Sequence, residues 1–134
     1  MNSLDQLLAF NSQALNLRAQ RSTVLASNIV NADTPGYQAR DFDFAQALKQ
    51  AMDNPQQRTL AVTAPRHLLP AVNANSAPDG SSLKYRTVTQ PSIDNNTVDL
   101  DVERAQFADN AVHFEANLMF VSGQIKAMLA ALQG

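Results

Sequence analysis

Phe107, Ala111, Phe114, Leu118, Val121, Ile125, Met128 and Leu132 follow one another at alternating spacings of four and three residues near the end of the chain. A 3.5-residue repeat held for about 3.5 heptads keeps one edge of an α-helix apolar along its whole length, and its natural use is a seam against another helix. The chain must therefore supply a helical partner or find one. Asn96 or Thr97 is placed to cap this helix. Asp99, Asp101 and Glu103 stand where negative charge favours the positive end of the helix dipole. A helix from Val98 to Leu132 would be roughly 50 Å long at 1.5 Å per residue.

The partner is legible at the other end. Ser3-Leu4-Asp5-Gln6 fits a capping box, after which Leu7, Phe10, Ala14, Leu17 and Val24 form one apolar stripe, broken by Arg21. Leu4, Leu8, Leu15, Leu25 and Ile29 form a second stripe, so the helix is apolar on more than one side. It should end near Val30 or Asn31, because the residue before Pro35 is pushed out of the helical region. Its length is then roughly 40 Å. The spacing predicts a mainly α fold, in which residues 1–31 and 97–134 pair as a helical coiled-coil assembly domain.

Between the helices, residues 32–96 hold all six prolines and the run NANSAPDGSS, which predicts an irregular, partly β outer segment. A short helix over 43–53 is expected, capped by Asp43 and ended by Asn54-Pro55. Thr59–Thr63 and Leu83–Thr89 alternate like strands and could pair as a small hairpin around Asp79-Gly80.

Composition excludes several functions. With 10 Lys+Arg against 12 Asp+Glu and no basic block, nucleic acid is not an expected partner. No uncharged run approaches the roughly 18 residues of a membrane helix, so no membrane insertion is expected, and the first residues lack the pattern of a secretory signal. Aromatics make up only 6%, so Ala, Leu and Val must do most of the burying, which suits helix packing better than a small-molecule pocket. The absence of cysteine removes thiolate chemistry. Counting from Asp94, the EF-hand positions six and twelve hold Asp99 and Ala105, so no calcium loop forms. Asp41 and Asp43 read as capping and solvated carboxylates, and His113 as a flank of the seam. No glycine-rich phosphate loop or nucleophile elbow occurs, and no catalytic, cofactor-binding or metal-ligating residues are expected.

One local feature is unusual. Thr34-Pro35-Gly36-Tyr37 has proline second and glycine third, the signature of a type II turn whose third residue needs positive φ. A helix terminator would account for Pro35 and Gly36. It would leave Tyr37, Phe42 and Phe44 unexplained, whereas a corner with aromatic anchors accounts for all of them.

The run NLRAQRSTVLASNIVNADTPGYQARDFDF resembles the first shared block of the bacterial flagellar rod, hook and hook-associated proteins, with Asn28, Asn31, Thr34, Pro35, Gly36 and Tyr37 at the expected spacing as an assembly motif. QPSIDNNTVDLDVERAQFADNAVHF resembles the second block, departing at Asn95, where glycine is usual. Asparagine tolerates left-handed backbone better than most residues. The short middle is similar to that of the proximal basal-body rod subunits. This resemblance implies a structural subunit whose terminal helices pair as a coiled coil and stack in the flagellar drive shaft. The implied partners are other rod subunits and itself, the base of the rod and the flagellar export apparatus, with type III export to the periplasm and no turnover of a substrate. Without the resemblance, a secreted helical-hairpin adaptor or chaperone-like binding protein fits the same stripes, and a carboxylate-dependent hydrolase comes third.

Overall fold

The computed structural model describes residues 3–53, 83–87 and 92–133. The elements in chain order are α1 (Ser3–Val30), β1 (Arg40–Asp41), α2 (Phe44–Asp53), β2 (Lys84–Tyr85) and α3 (Leu100–Gln133). The fold is mainly α, with long terminal helices and a small irregular middle carrying a two-stranded sheet. At 1.5 Å per residue, α1 is roughly 42 Å long and α3 roughly 51 Å. They run side by side in opposite directions: the end of α1, at Asn28, meets the start of α3, at Glu103, and Asn11 meets Asn117 and Gln124.

Each boundary has a local cause. At its C-terminus, α1 tightens as the Ala32 N–H donates to the Ile29 carbonyl and the Thr34 N–H to the Asn31 carbonyl, each an i→i+3 bond. Pro35 then prevents continuation. The Asp43 carboxylate accepts from the Gln46 N–H at 3.1 Å and so caps α2. At the start of α3 the cap is Asp99, whose Oδ1 accepts from the Asp101 and Val102 N–H groups at 3.2 Å each. Of the two caps expected from sequence, Asn96 has its amide nitrogen committed to the end of α1 and its oxygen to the Val98 N–H, and the Thr97 hydroxyl accepts from the Ala39 N–H.

The sheet joins segments far apart in sequence. β1 and β2 are antiparallel, with Arg40 opposite Tyr85 and Asp41 opposite Lys84. Lys84–Tyr85 falls within the strand expected over Leu83–Thr89, and its partner is β1; Thr59–Thr63, the partner expected from sequence, lies outside the described residues. This pairing draws the segment leaving α1 and the segment returning to α3 into one unit. Beneath it lies a small apolar core of Leu17, Phe42 and Ala47, flanked by Val24, Phe44, Leu48 and Leu83. Burying a Leu or Phe side chain contributes roughly 1.5–3 kcal/mol, so this cluster fastens the middle segment to α1 without amounting to the core of a typical domain of this length.

The corner after α1 is a hydrogen-bonded turn. The Tyr37 N–H donates to the Thr34 carbonyl at 3.2 Å, and Gly36 holds φ at 72°. A Cβ added at Gly36 would meet nothing within 4 Å, so glycine is needed for the backbone conformation and not for space. Gly36→Val is accordingly expected to destabilise the folded chain by on the order of 1–2 kcal/mol, and Gly36→Asn by clearly less. Urea unfolding of the two variants checks this, and equal midpoints would overturn the turn argument.

Candidate assembly interface

The chain reversal is held by three asparagines. Asn28, fully buried, uses its whole hydrogen-bonding capacity. Its amide nitrogen donates to the Arg40 carbonyl at 2.7 Å and to Glu103 Oε2 at 3.1 Å. Its oxygen accepts from the Arg40 N–H at 3.1 Å and the Tyr37 hydroxyl at 3.2 Å. By bonding both backbone groups of Arg40, Asn28 acts on β1 as a neighbouring strand residue would. Asn96 closes the corner from the other side, donating to the carbonyls of Asn31, Ala32 and Thr34 at 2.7–3.0 Å where α1 ends and the chain turns. Asn95 sits at φ 59°, and the Gly36 N–H donates to the Asp94 carbonyl at 2.8 Å, so the two turns are bonded back to back. Asn31 supports the first turn locally, donating to the Ser27 carbonyl and accepting from the Thr34 hydroxyl.

Beside this corner lies an ionic cluster that links four segments. Asp41 receives a bidentate pair from Arg21 on α1, at 3.0 and 2.9 Å, and a further bond from Arg86 after β2 at 2.7 Å. Arg86 also donates to Glu103 on α3 at 2.5 Å, and Arg21 to Gln106 at 2.9 Å. The Glu103 side chain is 1% exposed. Burial alone would raise the Asp41 carboxyl, but the hydrogen bonds and charge of Arg21, with the bonds from Arg86 and the Phe42 N–H, overcome it and hold it below the usual carboxylate range. The same Asp41 bond raises Arg21 above its ordinary value against the opposing effect of burial. Two sequence-based assignments change here. Asp41 is a partly buried ion-pair acceptor and not a solvated carboxylate, and Glu103 points into the chain and not only toward a helix dipole.

Along its length the α1–α3 contact mixes polar and apolar side chains. Asn110, fully buried, donates to the Arg18 carbonyl and the Ser22 hydroxyl at 2.8 Å each and accepts from Arg18 at 3.3 Å. Farther from the corner, Asn11 and Gln124, and Asn117 and the Asn11 carbonyl, lie at the 3.5 Å limit. The stripe of α3 turned toward α1 is thus Glu103, Gln106, Asn110, Phe114, Asn117, Val121, Gln124 and Met128. Of the residues expected to form the seam, Phe114, Val121 and Met128 are half-buried on it. Phe107, Ala111, Leu118, Ile125 and Leu132 are exposed, Leu118 at 48% and Leu132 at 84%. On α1, Leu17 is buried and Val24 packs on the small core, while Leu7 and Phe10 are exposed. His113 faces solvent, 3.6 Å from Asp109.

The expected anchors do hold the outgoing segment to this chain. Tyr37 bonds Asn28, Phe42 is buried against Leu17, and the Phe44 ring lies 3.9 Å from the Arg18 guanidinium. Sequence reasoning missed Arg86 and Asn110, noted Arg21 only as a break in the stripe, and gave Asn96 and Glu103 roles other than the ones the structure gives them. One signal was available: Arg21 interrupts an otherwise apolar stripe, and a charge in such a position needs a partner. Among the described residues, no group of three His, Asp or Glu side chains is arranged to hold a metal ion.

Comparison with known proteins adds the family. Residues 8–38 match the family described as Flagella basal body rod protein. Over 99% of its length the chain is 50% identical to the flagellar basal body rod protein FlgB of Escherichia coli (strain K12), covering 97% of that protein. It is 47% identical to the FlgB of Salmonella typhimurium over 100% of this chain and 98% of the relative, and 38% identical to that of Aeromonas hydrophila over 98% and 96%.

Removing one partner of a buried pair strands the other, so Glu103→Ala is expected to cost about 3–5 kcal/mol and Glu103→Gln less, since Gln still accepts a hydrogen bond. Because the folded Asp41 carboxyl is depressed, its contribution is complete above the ordinary carboxylate pKa of about 3.9 and is lost as pH falls below it. Asp41→Asn should therefore be less stable at pH 7 and show a shallower acid arm. Urea titrations at pH 7 and across pH 2–5 check both.

Proposed function

The chain belongs to the family of FlgB flagellar basal body rod proteins and is a structural subunit of the flagellar basal-body rod, and from that premise we propose how it takes its place. It stands in the proximal rod, reached by flagellar type III export to the periplasm, and joins other rod subunits and further copies of itself above the export apparatus. It turns over no substrate. The motif Asn28, Asn31, Thr34, Pro35, Gly36 and Tyr37 fixes the path by which the chain leaves the helical wall. The apolar residues of α1 and α3 left uncovered in the single chain meet neighbouring subunits.

The observation that carries this reading is the apolar surface that the helical pair leaves uncovered. The pair's inner line mixes Asn, Gln, Arg and Glu with Leu17, Leu25, Phe114, Val121 and Met128, while Leu7, Phe10, Leu118, Met119, Phe120, Ile125, Leu129 and Leu132 are exposed. Exposed apolar side chains scattered singly are ordinary, but a run of them along two adjoining helices marks a surface made to be covered. Of the charged residue types, Ala116–Gln133 carries only Lys126, and Gln6–Leu17 carries none, so the ends of the pair offer little that water solvates well. A soluble adaptor would place these faces the other way round.

Leu118→Asp tests the reading directly. Leu118 is 48% exposed, so the substitution should leave the stability of the free chain within about 0.5 kcal/mol, and it should still abolish incorporation by placing an unpaired charge at a subunit contact. Glu115→Gln, also exposed, should incorporate normally. Imaging of isolated basal bodies carrying a labelled chain, together with motility, reads the outcome. Label at the rod base is expected for the unmodified chain and for Glu115→Gln, and normal incorporation of Leu118→Asp would count against an assembly role for this face.

A further inference from the structure

Burial is divided unequally between the two ends of the chain. Among the described residues, the buried apolar side chains are Ala14, Leu17, Leu25, Ala39, Phe42 and Ala47, all in the leaving half, residues 3–53. The buried side chains of the returning half, residues 83–87 and 92–133, are Asn96, Glu103 and Asn110. Its apolar side chains are covered only in part, Leu83 against the small core and Leu100, Phe114 and Val121 on α3. Burying an apolar group is a net gain over water, whereas a polar contact largely replaces one that water would make. The small core thus belongs to the leaving half, and the returning half meets it with polar groups at its most buried points.

The hydrogen bonds divide in the same way. Within the leaving half, Asn28 bonds the Arg40 N–H and carbonyl and the Tyr37 hydroxyl, and Arg21 grips Asp41, across separations of 9–20 residues. Between the halves, the Ala39 N–H donates to the Thr97 hydroxyl, Asn28 to Glu103, Arg21 to Gln106 and Asn110 to the Arg18 carbonyl, across 58–92 residues. Closing a short loop costs less entropy than closing a long one. Separation of the halves would also strand no buried charge. Arg86 leaves with Glu103, Asp41 keeps both bonds from Arg21, and Asn28 keeps Arg40 and Tyr37. Asn96 and Asn110 pass into water, which replaces the partners they lose.

We propose that the chain is built as two units with a latch between them: residues 3–53 keep β1 and α2 packed on α1 when β2 and the first turns of α3 let go, and Arg86 and Glu103 leave together as an ion pair. Opening the latch bares the inner line of both long helices without undoing the small core, and closing it again needs only the polar contacts to find their register. A part of a fold that opens in this way is a cooperative unit less stable than the whole. The proposal goes beyond the rod reading and concerns the free chain, so its test is independent of that reading.

Native-state hydrogen exchange of the full chain, followed residue by residue by NMR at rising urea below the unfolding midpoint, tests this, because adjacent amides report on the two kinds of contact. The Ala39 N–H donates across the boundary, as do the Arg86 N–H to the Ala39 carbonyl and the Thr97 N–H to the Tyr37 carbonyl, whereas the Arg40 N–H bonds within the leaving half. Arg40 should be protected at least tenfold more than Ala39, Arg86 and Thr97. Ala47→Gly, which weakens α2 inside the leaving half, should lower protection at Arg40 about fivefold and leave the other three unchanged, since that half is intact both before and after the latch opens. Asn110→Ala, at the boundary, should lower all four, because it weakens only the closed state. Equal protection at Ala39 and Arg40, lowered together by Ala47→Gly, would show a single cooperative unit and overturn the proposal. So would faster exchange at Arg40 than at Ala39, or an Asn110→Ala chain in which Ala39 and Thr97 keep their full protection.

Discussion

The buried carboxylate of Glu103 is the point on which the arrangement turns. Taking a carboxylate out of water costs several kcal/mol unless charge and hydrogen bonds replace the water. Here Arg86 supplies the charge and Asn28 a second donor. Each of those partners is tied elsewhere: Arg86 to Asp41, and Asn28 to both backbone groups of Arg40. Satisfying one group on α3 therefore fixes the end of α1, the segment leaving it and the segment returning from the middle. The corner needs this arrangement because its apolar core is small.

The same physics explains why the polar contacts weaken away from the corner. Near it, Asn110 holds α1 through bonds of 2.8 Å, whereas Asn11, Asn117 and Gln124 meet at 3.5 Å. Hydrogen bonds at that limit contribute little. Apolar burial between the helices there is also incomplete, since Leu7 and Phe10 are exposed. The pair is thus well determined where it joins the middle segment and progressively less so toward its ends. Toward those ends the described residues leave Leu7, Phe10, Ile125, Leu129 and Leu132 exposed.

How much of this the sequence made legible follows from which signals are periodic. The two helices were readable because apolar residues recur at spacings of three and four over many turns, and the corner because Pro35 and Gly36 belong to a defined turn. The pairing of Lys84–Tyr85 with Arg40–Asp41 was not readable, because two-residue strands carry no pattern and their partners are more than forty residues apart. Nor was the line of α3 that faces α1. Apolar periodicity shows which residues avoid water in the end, not whether α1 or another subunit covers them. Asn110 and Glu103 took the inner line since each found a partner on α1, while Leu118 and Ile125, equally regular in spacing, lie beside it.

The polar residues on the inner line also give the helical pair something that a fully apolar hairpin would lack. An apolar seam is nondirectional, so two such helices can slide or exchange partners with little change in energy. Asparagine and ion-pair contacts hold only in one register, as single buried asparagines do in coiled coils. Asn28 opposite Glu103, Arg21 opposite Gln106 and Arg18 opposite Asn110 align α1 and α3 by geometry, and displacement by one residue would leave buried donors unpaired. The register of α1 against α3 is in this way fixed by polarity, and the apolar side chains still exposed on α3, such as Leu118 and Ile125, lie beside that line and take no part in setting it.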